Sequence, residues 1–281
     1  MNFGQITIIG VGLIGGSIGL AVKQRKLATV VYGVGRDERN LERARASGAL
    51  DRISTNLKEA CAKSDFIVVC TPVDRVAADV LAAAQVAPSH CVITDVGSTK
   101  GNILAELNGK MPSGGATFIG SHPLAGSEKR GAAHAKADLF TDRLVVVTPI
   151  ADTDTEVASV VDLFWQNLGA RIMRMDPHEH DRALAFTSHL PHAAASALAG
   201  VTPIEWLNLT AGGFKDTTRI AAGDAELWAA IFEANRDAVL TSLAAFTQQL
   251  ERFRDALETR DHPQLIQWLI EGKRIRDALG S

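Results

Sequence analysis

The first half of the chain alternates short apolar runs with stretches of helical spacing; the second half does not. Residues 6–9, 30–34, 66–70, 91–95, 117–120, 144–148 and 171–175 read as strands. Several carry β-branched and apolar residues at consecutive positions, as strands covered on both faces do. Helical spacing fills the gaps between them. In the clearest case Val157, Val160, Val161, Phe164, Trp165 and Leu168 share one face, after an acidic start at 152–156 and before a stop at Gly169. Strand–helix alternation of this kind predicts an α/β fold with a doubly wound, parallel sheet.

After Met175 the strand signals stop. Residues 176–199 and 227–257 read as helical, the latter with Leu227, Ile231, Leu243, Phe246, Leu250, Phe253 and Leu257 at spacings of three and four. A last helix runs from Pro263 towards Leu279. The pattern therefore predicts two domains, 1–175 built on the sheet and 176–281 all-helical. Long helices with broad apolar faces in so small a domain predict a homodimer, in which a second copy completes the core.

Composition narrows the class. The chain has 281 residues, 46% of them hydrophobic and 22% charged, which is the make-up of an ordinary globular protein and excludes a disordered or collagen-like one. With 29 Lys and Arg against 32 Asp and Glu, the net charge of −3 gives no basic excess for a nucleic acid. No apolar run reaches the roughly 18–20 uninterrupted residues of a membrane span. The apolar start at 6–22 is broken by five glycines and preceded by no Lys or Arg, unlike a signal peptide. Three scattered cysteines, Cys61, Cys70 and Cys91, are too few for a disulfide framework. A soluble, cytoplasmic chain with reduced thiols is expected.

Gly10-Val11-Gly12-Leu13-Ile14-Gly15 sits between the first strand and a helical stretch. In that context the first glycine makes a tight turn, the second admits a pyrophosphate to the backbone, and the third lets helix pack on strand. The helix N-terminus, through Leu13 and Ile14, then offers unpaired N–H groups to the phosphates. This is the dinucleotide fingerprint of a Rossmann-type domain. The end of the second strand selects the cofactor, because NAD wants an acid for the ribose hydroxyls whereas NADP wants a cation. In the simplest register Gly35 takes the acid's place and Arg36 faces a 2′-phosphate, which favours NADP. A one-residue slip returns the role to Asp37 and to NAD.

Ligands of doubly wound sheets bind beyond the carboxyl ends of the strands. Two polar constellations fall there: Thr94 to Lys100 after one strand, and Ser121 to Glu128 after the next. They bring Ser98 and His122 to one rim, where a nicotinamide would lie. Hydride transfer from an alcohol needs a base, and imidazole titrates near working pH.

Gly10-x-Gly12-x-x-Gly15, Cys70-Thr71-Pro72-Val73, Asp95-Val96-Gly97-Ser98-Thr99-Lys100 and His122-Pro123-Leu124-Ala125-Gly126-Ser127-Glu128 together resemble the prephenate/arogenate (cyclohexadienyl) dehydrogenases. Ser188-His189-Leu190-Pro191-His192 and Gly212-Gly213-Phe214-Lys215-Asp216-Thr217-Thr218-Arg219 extend the likeness into the helical half. The resemblance implies oxidative decarboxylation of a cyclohexadienyl alcohol with NAD(P), the last oxidative step of tyrosine synthesis. It implies that His122 takes the alcohol proton with help from Ser98, and that Arg219 holds a substrate carboxylate. His189, His192, Glu128 and Trp228 line the pocket in the same likeness, and Thr71 and Pro72 border the cofactor. The helical half is expected to serve dimerisation, from its apolar helical faces.

Three rivals follow from the same residues. Another two-domain β-hydroxyacid dehydrogenase would use a lysine of the helical half, for which Lys215 is the candidate. A non-catalytic NADP(H) sensor would use that half only to dimerise. A metal site would draw on His178, His180, His189 and His192, but no cysteine joins them and Pro191 disturbs the helix between His189 and His192, so no metal is expected.

Overall fold

The structure is a computed structural model that describes residues 2–126 and 131–280. Eight strands make one sheet: β1 (Phe3–Ile9), β2 (Ala28–Val34), β3 (Arg52–Ser54), β4 (Phe66–Val69), β5 (Val92–Asp95), β6 (Thr117–Pro123), β7 (Leu144–Thr148) and β8 (Arg171–Arg174). Their order is β3-β2-β1-β4-β5-β6-β7-β8. The helices are α1 (Leu13–Gln24), α2 (Glu38–Ala46), α3 (Leu57–Cys61), α4 (Val73–Ala84), α5 (Gly101–Leu107), α6 (Thr155–Asn167), α7 (Pro177–Leu184), α8 (Leu190–Gly200), α9 (Gly212–Thr218), α10 (Ala225–Ala234), α11 (Arg236–Glu258) and α12 (His262–Ala278).

The sheet is doubly wound, with one departure from the parallel expectation. Neighbours from β3 to β6 pair in parallel, but β7 runs antiparallel to β6, and β8 follows β7 in parallel. A parallel return needs a helical crossover. Among the described residues, the β6–β7 connection holds only the short 3₁₀ turn Ala132–His134, so the chain comes back antiparallel. Pairing with β7 also carries β6 to Pro123, past the expected end at Gly120, so that His122 lies within the strand opposite Val146.

Alternation along the central strands explains why both faces are apolar. Ile6, Ile8, Phe66 and Val68 join Ile18 and Val22 of α1 and Phe164 and Trp165 of α6 in one buried layer. Ile9, Ile67, Val69 and Ile93 join Val76 and Val80 of α4 and Ile103 of α5 in the other. The second layer also takes in Ile231, Trp228 and Ala234 of α10.

Two helical expectations need correcting in detail. The segment 176–199 is α7 and α8 joined by a π turn, Ala185–His189, and Pro191 follows that turn directly, in the first turn of α8. The segment 227–257 is two helices, because α10 ends at Ala234 and α11 begins at Arg236.

The chain divides into two compact units, one through Asn235 and one from Arg236 onward. In the second, Phe253 and Trp268 pack with ring centres 4.9 Å apart, and Trp268 Nε1 donates to the Gln249 carbonyl at 3.1 Å. Leu243, Leu250 and Leu257 of α11 and Leu269, Ile270 and Ile275 of α12 are exposed on it. Among the described residues, no helix is long and apolar enough to cross a membrane.

Candidate active site

The glycine turn after β1 is shaped by close approach. Gly10 has φ +92°, and a Cβ there would lie 2.8 Å from the Cys70 backbone; one on Gly15 would lie 2.3 Å from the Gly10 carbonyl oxygen. A Cβ on Gly12 meets nothing within 4 Å, so this face of the turn is open. The helix that follows, α1, has no side-chain cap and no acid in its first turn, which leaves the N–H groups at Leu13 and Ile14 and the positive dipole end uncovered. Across the turn Thr71 precedes Pro72, the N-cap of α4, and its buried hydroxyl has no hydrogen-bond partner among the described residues. A buried orphan hydroxyl beside an uncapped helix start fits a dinucleotide.

At the end of β2, Gly35 brings no carboxylate. Asp37 caps α2 by accepting from the Arg39 N–H at 2.9 Å. Arg36 is exposed and has no hydrogen bond or ion pair among the described residues.

The reactive end is a buried polar lattice. Lys100, 1% exposed, donates from Nζ to the Asp95 carboxylate and to the Ser121 carbonyl at 2.8 Å. Asp95 also receives the N–H groups of Gly97 at 2.8 Å and Ser121 at 3.0 Å, which ties the ends of β5 and β6 together. Ser121 Oγ takes the Trp165 indole N–H at 3.0 Å, so the lattice is anchored to the core of α6.

His122 stands on this platform. Its Nδ1 lies 2.9 Å from Nε2 of His180, whose Nδ1 lies 2.8 Å from Asp181 Oδ1. The Asp181 carboxylate is held in turn by the backbone N–H groups of Lys100 and Gly101, both at 2.8 Å. Burial, then the neighbouring His180, Lys100 and His189, push the His122 pKa well below the ordinary 6.5. The ring is therefore neutral at working pH, as a base must be before it acts.

Asn235, in the break between α10 and α11, extends the chain of contacts. Its Nδ2 donates to the Asp181 carbonyl at 2.8 Å and to His189 Nδ1 at 3.1 Å. Burial pulls His189 down to about 4, and a neutral ring that accepts at Nδ1 carries its proton on Nε2. His189 thus offers a donor. His192 stacks on Trp228 at 3.6 Å between ring centres, with its buried Nδ1 unpartnered among the described residues. Gly223 makes the stack possible, since a Cβ there would lie 2.8 Å from Trp228 Nε1 and 2.9 Å from His192 Cε1.

The structure thus connects His122, His189, His192 and Trp228 through neighbouring contacts. Ser98 is half-buried on the loop whose next residues hold Asp181. Arg219 is exposed, opens the 3₁₀ turn Arg219–Ala222, and has no hydrogen bond or ion pair among the described residues. Glu128 lies outside the described residues. Lys215, the rival's candidate, is exposed on α9. His180, Asp181, Asn235 and Gly223 were missed by sequence reasoning. His180 was read only as one of four histidines of a metal pattern, and its neighbour Asp181 was the available signal.

A doubly wound domain with an open dinucleotide turn, and a half-buried imidazole with a lowered pKa at the same carboxyl edge, defines a nicotinamide-dependent dehydrogenase. The family model described as prephenate dehydrogenase, nucleotide-binding domain, matches residues 18–174, and the one described as prephenate dehydrogenase, dimerization domain, matches residues 176–271. The chain belongs to the prephenate dehydrogenase family. It is 34% identical over 286 residues to a cyclohexadienyl dehydrogenase of Zymomonas mobilis, covering 99% of this chain and 96% of that protein. It is 30% identical to a prephenate dehydrogenase of Bacillus subtilis, over 98% of this chain and 76% of that protein. The structure of prephenate dehydrogenase from A. aeolicus, in complex with hydroxyphenyl propionate and NAD+, superposes with a TM-score of 0.89 at 28% identity, covering 98% of each chain. Synechocystis arogenate dehydrogenase gives 0.82 at 28% identity, over 98% of this chain and 99% of that one.

Proposed function

We propose that this chain catalyses the oxidative decarboxylation of prephenate, arogenate or both, with NADP as the preferred cofactor. The observation that carries the reading is His122, a half-buried imidazole with a lowered pKa at the carboxyl edge of the sheet that also holds the dinucleotide turn. When bound, the nicotinamide supplies the acceptor for a hydride. His122 takes the proton of the ring alcohol as that hydride leaves the alcohol carbon. The bond from ring to carboxylate then breaks, carbon dioxide departs, and the electron pair left behind completes the aromatic ring. The phenolate oxygen recovers its proton from His122, so the side chain ends as it began. General-base help of this kind is worth about 10²–10⁴ in rate.

The remaining roles are assigned by position and chemistry. Arg219 offers an unengaged planar guanidinium for a substrate carboxylate. His189 offers an N–H donor, His192 an unpartnered buried nitrogen, and Trp228 the ring on which His192 is held. Ser98 orients the alcohol. NADP is favoured because Asp37 is committed to capping α2 while Arg36 is unengaged. Residues 1–175 hold the nucleotide, and 176–281 form the helical half, which pairs two copies through the apolar residues of α11 and α12.

The test is steady-state turnover with prephenate or arogenate, each with NAD+ or NADP+, read as nicotinamide absorbance. Turnover is expected in at least one mixture, with NADP+ ahead by about tenfold, the worth of one well-placed charged contact. A preference for NAD+ would return the ribose to Asp37. Silence in all four with cofactor still bound would overturn the reaction.

A further inference from the structure

We propose that His180 and Asp181 form a tautomer lock on His122, which forces its lone pair onto Nε2, the nitrogen facing away from the protein network. The inference rests on the reading of His122 as the base, but its geometry stands apart from any substrate. Backbone N–H groups can only donate, and those of Lys100 and Gly101 fall on the two oxygens of Asp181, at 2.8 Å each. Asp181 therefore presents acceptors only, and His180 Nδ1, 2.8 Å from Oδ1, must carry a proton. The lock takes His180 as the neutral ring, its one N–H given to Asp181, so that the lone pair on Nε2 is directed at His122 Nδ1 at 2.9 Å. His122 Nδ1 must then be the donor, and Nε2 is left bare.

The two residues are positioning residues, since they act on the reaction only through His122. Their ring and carboxylate are buried, His180 fully, so water offers His180 no competing partner. When His122 takes the alcohol proton on Nε2, its new charge is met through Nδ1–H by the lone pair of His180, and beyond it by the Asp181 carboxylate. No proton needs to travel further than Nε2, and it returns from there to the product oxygen. His189 carries the opposite arrangement, a donor at Nε2, because Asn235 donates to its Nδ1. The same neighbourhood thus sets one imidazole as acceptor and the other as donor by what lies behind each ring.

Two variants separate this role from simple packing. His180→Phe keeps a ring but removes the acceptor. His180→Gln restores a donor towards Asp181 and an acceptor towards His122 on one carboxamide. Histidine tautomers are read by two-bond proton–nitrogen NMR on the labelled full-length protein, and kcat and KM are measured beside them. The unaltered protein is expected to show His122 protonated on Nδ1. His180→Phe is expected to move that proton to Nε2 and lower kcat at least about tenfold, with both KM values within about twofold; His180→Gln is expected to restore both readouts. An Nε2–H tautomer in the unaltered protein would overturn the proposal. So would an undiminished kcat in His180→Phe, or a His180→Gln variant no better than it. If no substrate turns over at all, the functional reading fails while the NMR spectrum still decides the lock.

Discussion

The dinucleotide turn and the reactive edge lie on the same side of one sheet, yet they are built from different materials. The turn is backbone: three glycines within six residues, an uncapped helix start and one orphan hydroxyl. Its specificity comes from what is absent, since added atoms at Gly10 or Gly15 would collide with main chain. The reactive edge is side chain. Asp95, Lys100, Ser121, His122, His180, Asp181 and Asn235 come from separated segments and are held by reciprocal hydrogen bonds, all of them buried but the half-buried His122. A backbone site fails by steric collision at one point. A lattice fails when any member is left without its partner, because an unpaired buried charge is costly.

That contrast can be broken in three ways, taken from the largest expected effect. Lys100→Met leaves the Asp95 carboxylate buried without its cation and should destabilise the fold by about 3–5 kcal/mol, read by urea denaturation. A loss within 1 kcal/mol would mean that the N–H groups of Gly97 and Ser121 satisfy Asp95 alone. Gly15→Ala should weaken cofactor binding about 100-fold by displacing the turn that meets the phosphates, with the histidine network unchanged. Calorimetry would measure it, and unchanged affinity would show that the turn tolerates the atom. Acid should act on the reactive edge first. Unfolded histidines take up protons near 6.5, whereas burial holds His189 down to about 4 and His122 well below the ordinary value. The unfolded state therefore binds more protons between those values, and stability falls as pH drops from about 6.5 towards 4. Flat stability across that window would contradict the burial of both rings.

The same contrast explains what was legible in the sequence. The turn could be read because its parts are consecutive and each glycine answers a local demand. Most strands could be read because alternating burial against two helical layers leaves runs such as Phe66–Val69 wholly apolar. β3 escaped because three residues, Arg52–Ser54, carry only one apolar side chain. The antiparallel β7 escaped because apolar runs do not record direction. The break at Asn235 falls in the gap between Ile231 and Leu243 of the apolar pattern, and its purpose, a side chain reaching Asp181 and His189, is tertiary. His122 was found as a candidate base from its place near a strand end. His180 and Asp181 were not, since nothing local shows that residues 58 apart share a hydrogen bond.

The central claim is that the two ends divide the work, the turn holding the cofactor and His122 moving the proton. The most direct measurement is His122→Asn, with cofactor affinity by calorimetry and turnover of prephenate and arogenate on the same preparation. The account predicts cofactor affinity within about twofold of the unaltered protein and turnover lower by about 10²–10⁴. Turnover that survives, or that falls only in step with a loss of cofactor, would contradict it.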